Sequence, residues 1–72
     1  MNEVAQKLNL IDKSLTRYAS RSNCSQYTLV SAAYIAMLRC YKGESYKHSI
    51  RLGKRIIDQH LVWEKYRNGS PP

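Results

Sequence analysis

Two histidines each stand one helical turn from a glutamate: His48 follows Glu44, and His60 precedes Glu64. A His–Glu pair at that spacing can pass a proton or hold a metal ion. Neither pair has a third partner nearby in sequence. The first reads as a helix-surface pair and the second as a satisfied, partly buried histidine. Cys24, Cys40, His48 and His60 supply four potential zinc ligands, but none sit at the close spacings of zinc sites. The sequence has no glycine-rich phosphate loop and no nucleophile motif. No enzyme, metal or cofactor is expected.

Positive charge is the stronger signal. Twelve Lys and Arg stand against five Asp and Glu, a formal charge of +7. Such a balance favours an anionic partner: nucleic acid, an acidic protein or a membrane surface. Lys13, Arg17 and Arg21 recur at four-residue spacing and form one basic row. Lys47, Arg51, Lys54 and, at the edge, Arg55 form a denser second row, interrupted by Asp58. Tyr41, Tyr46 and Tyr66 could stack on bases or fill a partner's pocket, though sealing a small core is their commoner use.

Helices must position these rows. The stretch Tyr27 to Tyr41 is mostly apolar or small until Arg39. It is too short for the roughly 20 apolar residues of a membrane span. Ser25 is a natural N-cap, and Gly43 stands where a C′ glycine belongs. Val30, Tyr34, Met37 and Tyr41 share a bulky face; Leu29, Ala33, Ala36 and Cys40 share a smaller one. Thr28, Ser31, Arg39 and Lys42 leave only a narrow polar strip. A helix apolar nearly all round is normally buried between neighbours, so the central helix, about 26–41, is expected inside.

Lys42-Gly43-Glu44-Ser45 reads as a tight antiparallel connection, with Ser45 capping a last helix over about 45–67. Tyr46, Ile50, Gly53, Ile57 and Leu61 form its apolar stripe. Gly53 costs helix stability, which points to a close backbone contact, expected against the central helix. The two helices are similar to a tetratricopeptide hairpin at Ala36, Gly43, Tyr46, Ser49 and Ile56. That resemblance implies a protein-interaction surface.

The first segment, residues 2–21, admits two readings. As one helix, Val4, Leu8, Ile11, Leu15 and Tyr18 make an amphipathic stripe with Leu10 as the misfit. Alternatively the chain turns at Asn9. Ala5 is then the small residue of a first helix, Leu8 its apolar end, Leu10 a core residue and Asp12 the N-cap of a second helix carrying Leu15 and Tyr18. Residues 1–20 in that form resemble a helix-turn-helix DNA-binding unit. The resemblance implies that Lys13, Thr16 and Arg17 face bases in the major groove. Lys47, Arg51, Lys54 and Arg55, with Arg21, are then expected on the phosphates.

The expected fold is all-α: a compact three-helix domain over 1–67, or four helices if the first segment breaks near Asn9, followed by a disordered tail at 68–72. The N-terminus lacks a secretory signal and there is no CxxC, so a cytoplasmic protein with reduced thiols is expected. The function expected is a small DNA-binding transcription regulator, with DNA ahead of RNA, which could dimerise to cover two half-sites. The alternative is a helical adaptor or inhibitor, of the kind a phage aims at a host complex. It would present its basic face to an acidic protein and touch no nucleic acid. No membrane contact is expected.

Overall fold

The computed structural model describes residues 2–67. Three helices follow in order: α1 over Glu3–Arg21, α2 over Gln26–Tyr41 and α3 over Tyr46–Arg67. The tail expected at 68–72 lies outside the described residues. No described helix is long and apolar enough to cross a membrane.

Each helix begins on a polar cap. The Asn2 side chain accepts from the Ala5 N–H at 2.7 Å, Ser25 Oγ from Thr28 N–H at 3.2 Å, and Ser45 Oγ from His48 N–H at 3.1 Å. The two connections close alike. Cys24 N–H donates to the Ala19 carbonyl, and Glu44 N–H to the Arg39 carbonyl. Both are six-to-one bonds that satisfy a terminal carbonyl of the preceding helix. The residue before each donor turns left-handed: Gly43 at φ 118° and Asn23 at φ 57°.

Helix α1 is unbroken, so the chain does not turn at Asn9 and the fourth helix is not formed. The burial pattern explains why. Ile11 and Leu15 are wholly buried and Ala19 nearly so, a stripe at four-residue spacing that only a continuous helix keeps on one face. Leu10, the core residue of the turned reading, is 46% exposed. Asn9 and Asp12 are exposed mid-helix residues, where each lowers helix propensity by well under about 1 kcal/mol.

All three helices touch one another. Leu15 meets Gly53, and Tyr18 meets Asp58, so α1 and α3 run in the same direction with α2 reversed between them. Gly53 does mark a close approach, but to α1 rather than to the central helix. A Cβ there would lie 2.5 Å from Leu15 Cδ1. Ser49, also wholly buried, donates its hydroxyl to the Ser45 carbonyl at 3.1 Å and so enters the core with its polar atom satisfied.

Helix α2 is central but only half buried, which corrects the expectation of a rod covered on every side. Its small face is inside: Ala32, Ala33, Ala36 and Cys40 are buried. Its bulky face is out, with Tyr27, Tyr34 and Tyr41 at 78%, 65% and 71% exposure and Val30 at 55%. Small residues allow the helices to approach closely, and that choice turns the large side chains to water. Thr28, expected on the polar strip, is buried and bonds Ser25.

Candidate anion-binding face

Helices α1 and α3 lie side by side and bring part of the two basic rows together. Arg17 and Arg21 from α1 and Lys54 from α3 line one recess of about 150 Å³, with Ser14 and Tyr18 as its remaining walls. The Lys54 ammonium sits 5.2 Å from the centre of the Tyr18 ring, a cation–π distance that holds the amine over the recess. The Tyr18 hydroxyl donates to Asp58 Oδ1 at 2.6 Å, which fixes the ring between the helices. That hydrogen bond, with smaller effects of desolvation and of the Asp58 charge, raises the Tyr18 pKa above its ordinary value of 10.0.

Lys13 and Thr16 stand with Arg17 on the outer side of α1. Arg51 and Arg55 line a separate recess with His48 on the outer side of α3. Lys47 is exposed at the start of α3. The surface therefore runs from the outside of α1, across the shared recess, to the outside of α3. Asp12 lies at its α1 margin, near Lys13.

Ion pairing leaves this face positive. Glu3 pairs with Lys7 at 3.6 Å and Glu44 with Arg39 at 3.0 Å, while His48 and His60 stand 3.7 Å and 3.6 Å from Glu44 and Glu64. Among the described residues, Lys13, Arg17, Arg21, Lys47, Arg51, Lys54 and Arg55 form no ion pair within 4.0 Å. Asp58, the carboxylate closest to Lys54 in sequence, is engaged by Tyr18.

Both His–Glu pairs form, and both are surface or half-exposed pairs. His60 also packs its ring 5.4 Å from that of Trp63. No group of three or more His, Cys, Asp or Glu gathers to hold a metal among the described residues. Cys24 and Cys40 are both free thiols. Burial, then the Glu64 charge, raises the Cys24 pKa, which disfavours the thiolate. Of the tyrosines singled out, Tyr46 packs against the core, while Tyr41 and Tyr66 are exposed.

The sequence places Ser14 outward beside Lys13, Thr16 and Arg17, but gives no sign that Tyr18 joins the site. Tyr18 reads as a core anchor from its spacing. Its second role depends on Lys54 and Asp58, 36 and 40 residues later, which only the parallel packing of α1 and α3 brings near. No protein-family model matches the chain, and no curated protein or solved structure does.

Proposed function

We propose that the chain is a small DNA-binding protein that grips the phosphate backbone with the α1–α3 face. The convergence of Arg17, Arg21 and Lys54 on one recess carries this reading. Two guanidinium groups one helical turn apart, about 6 Å along the axis, suit multiple phosphate oxygens better than a single carboxylate. Ser14 adds a hydroxyl donor in the same recess. Lys13, Lys47, Arg51 and Arg55 extend the contact along the duplex. Neutralising several phosphates releases condensed counterions, and that release drives binding.

Without the turn at Asn9, base readout no longer rests on a recognition helix of the helix-turn-helix kind. Sequence preference, and with it a role in regulating transcription, falls to Lys13, Thr16 and Arg17 on the exposed side of α1. A helix is about 10–12 Å across and the major groove about 12 Å wide, so that side of α1 has the right breadth. The setting proposed is the cytoplasm, where Cys24 and Cys40 persist as thiols.

The test is a salt series of titrations against duplex DNA, single-stranded RNA and a polyglutamate standing for an acidic protein. Duplex DNA should bind most tightly, with log K falling linearly against log salt. Arg17→Ala, Arg21→Ala and Lys54→Ala should each flatten that slope by about one. An absence of binding at low salt, or preferential binding of polyglutamate, counts against the proposal.

A further inference from the structure

We infer that the exposed face of α2 is a self-association surface on which a second copy of this chain lies antiparallel. Tyr27, Val30, Tyr34, Met37 and Tyr41 follow a three–four alternation, the a/d spacing of helices that pack along their length. All but Met37 are more than half exposed, and Leu38 extends the face at 38%. At about 200 Å² per ring, the three tyrosines alone expose roughly 430 Å². The aliphatic residues bring the patch to roughly 600 Å², the upper end for the largest apolar patch of a monomer. A standard interface takes about 800 Å² from each partner, so one such face against its copy approaches what a stable dimer needs.

The face also matches itself. Tyr34 lies midway between Tyr27 and Tyr41. A two-fold axis beside Tyr34 sets Tyr27 against the partner's Tyr41, and Val30 against the partner's Leu38, each contact made twice. The groove between α1 and α2, about 330 Å³ and lined in part by Leu29, Ala33 and Met37, gives the tyrosines room to seat. Charge selects the direction. Lys42, which caps α2, stands at its C-terminal end, where Arg39 is already paired with Glu44. A parallel pair would bring Lys42 against its own copy, whereas the antiparallel pair separates the two by the length of the helix. The basic recess is walled by α1 and α3 alone and stays open in the dimer, whereas Thr16 and Asp12, at the α1 margin of the proposed DNA contact, line the groove that seats the tyrosines.

Sedimentation equilibrium of the full chain tests the inference. A monomer–dimer equilibrium is expected. Tyr34→Glu, which sets two carboxylates across the axis, should raise the dissociation constant at least about 30-fold, the effect of losing an interface hot spot. Helicity should not change, because Tyr34 supports no core. Direction is read by cysteine cross-linking in a Cys24→Ser, Cys40→Ala background whose helicity is checked first. Tyr34→Cys should link to itself on oxidation. Tyr27→Cys should link only when mixed with Tyr41→Cys. Self-linking by Tyr27→Cys overturns the antiparallel arrangement. A dimer indifferent to Tyr34→Glu overturns the surface. So does a chain that stays monomeric to about 1 mM, whether or not an unlike protein or a lipid vesicle takes α2 instead. DNA titration of Arg21→Ala and Lys54→Ala, whose side chains line only the α1–α3 recess, reports separately on the basic face.

Discussion

Gly53→Ala should destabilise this protein, although alanine is the better helix former. In an exposed helix interior the exchange gains about 1 kcal/mol. Here the new methyl meets Leu15 Cδ1 at 2.5 Å, Cδ2 at 2.8 Å and Cγ at 3.2 Å. Leu15 is wholly buried, so its branch cannot swing into solvent to make room. Overpacking of this kind costs about 1–3 kcal/mol, which outweighs the propensity gain and leaves a net loss of about 1 kcal/mol. For a domain of this size that lowers Tm by about 4–8 °C. The cause is tested by removing the obstacle. Leu15→Ala alone should cost about 2–5 kcal/mol. Added to that background, Gly53→Ala should become stabilising by about 1 kcal/mol or more, because the methyl then fills space. The assay is a double-mutant cycle by urea unfolding at low temperature; if Leu15→Ala is too unstable to measure, Leu15→Val opens part of the same space. A stabilising Gly53→Ala in the wild-type background would refute the close packing of α1 on α3.

Three further outcomes follow from the same geometry. Gly43→Ala, at φ 118°, should cost more than about 1 kcal/mol, while Asn23→Gly should stabilise by a few tenths to about 1 kcal/mol; urea unfolding of the two variants checks both. Tyr18 should ionise above pH 10, as followed by tyrosinate absorbance, and Tyr18→Phe should remove that step. Because its folded pKa is raised, the stabilising effect is complete below the unfolded value near 10 and fades as pH climbs through the folded one. Tyr18→Phe should also loosen Lys54 less than Tyr18→Ala, since the ring face survives; their ratio of DNA affinities measures it.

Much of this fold is written in local chemistry. Ser25, Ser45 and Gly43 announce helix ends because capping needs particular side chains at particular places, whatever packs around them. The continuity of α1 was open, because Asn9 and Asp12 suit a turn and are also tolerated on a helix surface. What decides it is non-local: Ile11 and Leu15 enter the core shared by the three helices only if the helix runs on. Gly53 signals a close neighbour without saying which one, since a missing Cβ carries no address. Helix α2 shows the plainest limit. A helix apolar on both faces has little amphipathic bias, so its pattern cannot say which face goes inside. The alanines do, because they set how near α1 and α3 can come. The candidate site was legible as two basic rows, whereas the union of Arg17 and Arg21 with Lys54 needed the parallel alignment of α1 and α3.

The proposed DNA contact is tested most directly by following backbone amide resonances of the full chain during titration with a short DNA duplex. Shifts confined to residues 13–21 of α1 and 47–58 of α3, fading as salt is raised, are the predicted result. Shifts centred on the outer face of α2, or none at low salt, would contradict it.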